Sequence, residues 1–69
     1  MLLGNKIREV RYEAALTQDE LACFLNTSQS IIWMWESGKY YPSKKYMLKL
    51  IEFANRYGFK IKPEEFTDD

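Results

Sequence analysis

Histidine is absent from this 69-residue sequence, and cysteine occurs once, at Cys23. With no imidazole to activate it and no second thiol to share a metal, Cys23 offers neither a nucleophile nor a zinc site. It also has no partner for an internal disulfide, which fits a reducing compartment. No apolar run nears the roughly 18 to 20 residues that a membrane-crossing helix needs. Met1-Leu2-Leu3, followed at once by Gly4-Asn5-Lys6, is too short for the core of a signal peptide. Glycine is held to three positions and proline to two, so a Gly-rich phosphate-cradling loop is missing as well. These absences predict a cytoplasmic, soluble protein that is not an enzyme. They imply no catalytic residue, no metal, no cofactor and no small-molecule ligand.

What is present is apolar bulk. A chain this short buries only about 60% of the surface its unfolded form exposes, so its core must be well filled. The composition supplies that filling, at 46% hydrophobic and 16% aromatic residues. Net charge is zero but unevenly spread. Residues 1–62 hold ten Lys/Arg against six Asp/Glu, a net +4, and residues 63–69 hold Glu64, Glu65, Asp68 and Asp69 with no base. A modestly basic body, residues 1–62, with an acidic tail, residues 63–69, is the expected domain organisation. Overall neutrality lowers the expected non-specific attraction to nucleic acid without excluding it.

The pattern along the chain is helical throughout. Leu3, Ile7, Val10 and Ala14 fall on one stripe of an amphipathic helix that Asn5 is placed to cap. Thr17-Gln18-Asp19-Glu20 has the form of a capping box, and Leu21, Ala22 and Leu25 give the following helix its inner face. Asn26-Thr27-Ser28 ends that helix after two turns, because Asn tolerates the left-handed conformation and Ser favours a new N-cap. A third helix is predicted from about Ser28 to Ser37, with Ile32 and Trp35 inside and Gly38 as its stop. After the loop Lys39-Tyr40-Tyr41-Pro42, Ser43 caps a fourth helix. Its inner residues are Met47, Leu50, Ile51 and Ala54, while Tyr46, Phe53 and Tyr57 lie on an adjoining face, and Gly58 ends it. Phe59-Lys60-Ile61 reads as extended, and Pro63-Glu64-Glu65-Phe66 as a last turn that tucks Phe66 in.

Two short helices joined by a three-residue turn, between a leading and a trailing helix, follow the helix-turn-helix plan. From Leu16-Thr17-Gln18-Asp19-Glu20-Leu21-Ala22 through Trp35-Glu36-Ser37-Gly38-Lys39 to Pro42-Ser43, the sequence resembles the lambda-repressor-like, or Xre/Cro-like, family. The resemblance covers residues 7 to about 54, and Gln18, Glu36, Gly38 and Pro42 sit at that family's spacing. Departures are Asn26 where a Gly is usual, apolar Trp33 and Met34 on the third helix, and a longer fourth helix. The fold it implies is all-α, a small four- to five-helix lambda-repressor-like domain.

The resemblance further implies that the third helix enters the major groove of duplex DNA. Its outward positions are Gln29, Ser30, Trp33 and Met34, with Ser28 at its cap. Gln29 is the prime reader, because an amide can bond adenine N6 and N7 together; as an ordinary residue it is an exposed polar side chain. Ser30 suits either base type. Trp33 and Met34 fit contact with thymine methyls or sugar, and equally a protein-binding patch. Gln18 resembles the family's phosphate-bracing glutamine at a helix N-terminus. Lys39, Tyr40, Lys44 and Lys45 follow the third helix and are placed to grip the backbone; each taken singly is an ordinary solvated residue. Arg11 and Glu36 match a structural ion pair of the family that touches no ligand.

Two functions follow from this reading. The first is a sequence-specific transcriptional regulator acting by occupancy, as a homodimer on two half-sites about one helical turn apart. Phe53, Tyr57, Phe59 and Phe66 exceed what so small a core hides and are the candidates for the dimer surface. The alternative is a protein-interaction module on the same fold, an antitoxin or phage accessory protein, gripping its partner through Trp33, Met34, Tyr40 and Tyr41.

Overall fold

The computed structural model describes residues 2–62 and 64, and of Leu2 the backbone alone. Four α-helices make up the regular structure: α1 Leu2–Glu13, α2 Gln18–Leu25, α3 Gln29–Ser37 and α4 Lys44–Arg56. No strand occurs among the described residues. The fold is a small all-α domain, as the hydrophobic periodicity predicts.

Each helix packs by the stripe its sequence lays down. Leu3, Ile7 and Val10 of α1 meet Leu21, Ala22 and Leu25 of α2, Ile32 and Trp35 of α3, and Leu50, Phe53 and Ala54 of α4 in one core. Ile61, beyond the last helix, folds back and is buried against Ile7, Val10, Leu21 and Leu50. The principal contacts run α2 to α3 and α1 to α3, so α3 is held from two sides while its remaining face stays open. Gly4 explains how closely α1 approaches it: a Cβ at that position would lie 2.4 Å from the Glu36 carbonyl oxygen.

All four helices stop by one device. One residue past the end of α2 and α3, and two past the end of α1 and α4, the backbone turns left-handed, at Asn26 (φ 62°), Gly38 (φ 83°), Ala15 (φ 59°) and Gly58 (φ 82°). In each case the next N–H reaches back five residues: Leu16 to the Arg11 carbonyl, Thr27 to Ala22, Lys39 to Met34 and Phe59 to Ala54. That is the Schellman pattern, which satisfies helix-terminal carbonyls that would otherwise be orphaned.

The N-termini agree with the sequence less evenly. Thr17 and Glu20 form the full capping box, Glu20 N–H donating to Thr17 Oγ1 at 3.1 Å and Thr17 N–H to Glu20 Oε1 at 2.9 Å. Ser28 caps α3, its Oγ accepting from Ile31 N–H at 3.4 Å. Asn5 does not cap α1, which already begins at Leu2, so Asn5 is an exposed residue inside the helix. Ser43 holds the cap backbone conformation of α4 but makes no side-chain cap bond. Phe53 lies in the core and not on a surplus surface, because it wedges between Phe24 and Tyr57 with ring centroids 5.2 and 5.1 Å away. The expected turn around Phe66 falls outside the described residues.

Candidate nucleic-acid interface

The open face of α3 carries three of the residues singled out from the sequence. Ile32, Trp35 and Glu36 are buried, which turns Gln29, Ser30 and Trp33 outward on successive turns, all three exposed. Trp33 is 48% exposed, and Lys39 lies over its ring with Nζ 6.0 Å from the centroid. Met34, expected to face outward with them, is half-buried instead, and its carbonyl takes the helix-ending bond from Lys39. Tyr40, 61% exposed, stands in the loop after α3, and Lys44 and Lys45 are exposed at the start of α4. Tyr41, by contrast, packs against the core.

Lys44 and Lys45 sit in the wrong place for stability. The N-terminus of a helix carries partial positive charge and favours acidic side chains, yet the first turn of α4 has no acid and opens with two lysines. An anion held there would find backbone N–H groups and ammonium groups together.

Behind this surface lies a chain of polar contacts that ends in the core. Glu36 accepts from Arg11 twice, Nε to Oε2 at 2.7 Å and Nη2 to Oε1 at 2.9 Å. The side chains are 9% and 1% exposed, so the pair is buried. Arg11 Nη1 also donates to the Leu16 carbonyl at 3.0 Å, tying α1 to the segment entering α2. Arg8 adds its guanidinium 3.5 Å from Glu36 Oε1. Gln18 Nε2 then donates to Glu36 Oε1 at 3.0 Å, and Gln29 Nε2 donates to Gln18 Oε1 at 2.6 Å. First residues of α2 and α3 are thus clamped together and anchored to one buried carboxylate.

The electrostatics of Glu36 follow from these contacts. Burial raises its pKa, but hydrogen bonds from Arg11 and Gln18 and the charges of Arg11 and Arg8 outweigh it, leaving the group below the ordinary carboxylate value. The hydrogen bond to Glu36 raises the Arg11 pKa, against an opposing effect of burial. Both groups are charged at neutral pH, and no buried side-chain polar atom among the described residues lacks a partner.

Sequence reasoning singles out Gln18, Ser28, Gln29, Ser30, Trp33, Met34, Lys39, Tyr40 and Lys44; the structure joins Gln18 to Gln29 and sets Lys39 over Trp33, contacts that sequence reasoning does not see. The Gln18–Gln29 and Gln18–Glu36 bonds, and the approach of Arg8, join side chains on different helices, where no periodicity points. Phe24 was also missed. It is 53% exposed on α2 despite its size, and with Leu25, Lys49, Glu52, Phe53 and Arg56 it lines a surface groove of about 190 Å³. Cys23 is exposed and free. No group of three or more potential metal ligands occurs among the described residues, and none of their helices is long and apolar enough to cross a membrane.

A family model described as a helix-turn-helix domain matches residues 4–63. No curated protein and no solved structure matches the chain.

Proposed function

The chain belongs to the helix-turn-helix domain family, and from that premise we propose that it is a sequence-specific, duplex-DNA-binding transcriptional regulator, with α3 in the major groove. The observation that carries this reading is the placement of Gln29: exposed on the first turn of an otherwise supported helix, with its amide fixed by Gln18. A reader must be held still to discriminate, because a freely rotating side chain loses rotamer entropy on binding. Gln29 pairs with adenine through N6 and N7, while Ser30 and Trp33 meet neighbouring base edges or sugar. Gln18, through its remaining amide N–H, Ser28, Lys39, Tyr40 and Lys44 contact phosphate on either side, and Met34 packs along the groove. Such contacts set register without reading sequence.

The body, residues 1–62, is the DNA-binding domain and residues 63–69 an acidic tail. The described part measures 29 Å in its longest dimension, less than the roughly 34 Å of one duplex turn. One copy therefore covers one half-site, and two copies bind as a homodimer. The exposed aromatics Phe24 and Tyr57, at 53% and 41%, are the surface for that contact. A salt titration tests the reading: affinity for random duplex DNA should fall steeply as salt rises, since phosphate contacts release counterions.

A second reading draws on the exposure of Trp33 and Tyr40. On it, the same face grips a protein. Binding to random duplex that is absent or indifferent to salt, beside tight salt-tolerant binding to a protein partner, favours this alternative.

A further inference from the structure

We propose that Glu36, buried and out of reach of any ligand, decides which purine Gln29 accepts in the major groove. The proposal rests on the DNA-binding reading above and extends it from the residue that reads to the residue that sets what is read.

Donors and acceptors along the polar chain fix its direction. An ionised carboxylate can only accept hydrogen bonds. Gln18 must therefore turn its NH₂ group to Glu36 Oε1, at 3.0 Å, and present its carbonyl oxygen on the other side. That oxygen can only accept, so Gln29 must turn its own NH₂ group toward it, at 2.6 Å. One of the two N–H groups of Gln29 is thereby committed within the protein. What remains is one donor and one carbonyl acceptor. Adenine offers the complement, with N7 accepting and N6 donating, whereas guanine offers two acceptors, N7 and O6. A Gln29 with both N–H groups at liberty can donate to N7 and O6 of guanine; the tethered one sets its carbonyl oxygen against O6. Arg11 and Arg8 hold Glu36 in its charged, accepting form. Glu36 is thus a positioning residue that acts through Gln18.

Gln18→Met tests this, because it removes the relay at similar volume and leaves the Arg11–Glu36 pair untouched. Two duplexes are compared that differ only in A·T or G·C at the base pair where Gln29→Ala relaxes preference. Wild type should favour A·T by about tenfold, the low end for a bidentate base contact. Gln18→Met should bring the two duplexes to within about twofold, since a relaxed contact loses most of that discrimination. The double variant Arg11→Met/Glu36→Met, which removes both charges together, should do the same with Gln18 still present. An unchanged A·T to G·C ratio in Gln18→Met overturns the inference, even if melting temperature or overall affinity falls, because those losses are what a merely structural contact produces. A double variant that folds and keeps the A·T preference overturns the part assigned to Glu36, whatever Gln18→Met does; should it fail to fold, an unchanged ratio in Gln18→Met still overturns the inference. If Gln29→Ala relaxes preference at no base pair, the DNA-reading role itself fails and this inference with it; if Gln29→Ala relaxes it and Gln18→Met does not, the relay alone is rejected.

Discussion

At Glu36, burial and pairing oppose each other, and pairing prevails. A carboxylate in the core is costly unless its charge is matched, and here two bonds from Arg11 and one from Gln18 match it. Removing one member of a buried pair leaves the other charged and desolvated, at a cost of about 3–5 kcal/mol. A domain near 70 residues has roughly 0.05–0.15 kcal/mol of stability per residue, so that cost is comparable with the whole. Glu36→Gln is therefore expected to lower the melting temperature severely at neutral pH. Because the folded pKa lies below the unfolded value of about 4.3, the stabilisation is fully present above that pH. It is lost as pH falls through the folded value. The gap between wild type and Glu36→Gln should hold constant from pH 7 to about pH 5 and narrow on further acidification; a constant gap down to the acid limit would mean that Glu36 titrates alike in both states.

The helices show how much of the fold was legible in the sequence. Ends marked by Asn26, Gly38 and Gly58 were readable, since these residue types tolerate positive φ. The end at Ala15 was not: nothing about Ala14-Ala15 signals a left-handed turn, and the tertiary fold imposes it by packing half-buried Leu16 against the core, where its carbonyl meets Arg11. Alanine there bears a cost of about 1–2 kcal/mol that glycine avoids, partly offset by the greater unfolded-state freedom of glycine. Ala15→Gly should raise the melting temperature by a few degrees, about what a fraction of 1 kcal/mol produces in a 60–100-residue domain; a lower one would show that Ala15 carries no strain. Capping followed the same division. The local Thr17–Glu20 box was visible within four residues, while the start of α1 was misjudged, because Asn5 sits where a cap is common but the apolar stripe already begins at Leu3. The outward placement of Gln29, Ser30 and Trp33 on α3 was legible from the 3.6-residue period, whereas Met34, expected beside them, is half-buried. The bonds that lock Gln29 cross between helices and were not legible.

For the molecule as a whole, charge distribution matters more than net charge. The body carries +4 and residues 63–69 carry −4, so the tail should weaken attraction to phosphates over a range of about 8 Å at physiological ionic strength. Truncation after Lys62 should strengthen binding to random duplex at low salt and lose that advantage as salt rises. Unchanged affinity in a folded truncation would place the tail's charge away from the DNA.

Sequence preference of two single variants, measured side by side on duplexes substituted one base pair at a time, separates base reading by α3 from mere phosphate contact. Gln29→Ala should relax preference at one base pair of each half-site, losing about 1–3 kcal/mol of discrimination there, with helix content unchanged. Lys44→Ala should instead weaken all duplexes alike and flatten the salt dependence by about one unit. Preference retained at every base pair in Gln29→Ala would rule out base reading by Gln29, because the residue held in place by the whole polar chain would then read nothing.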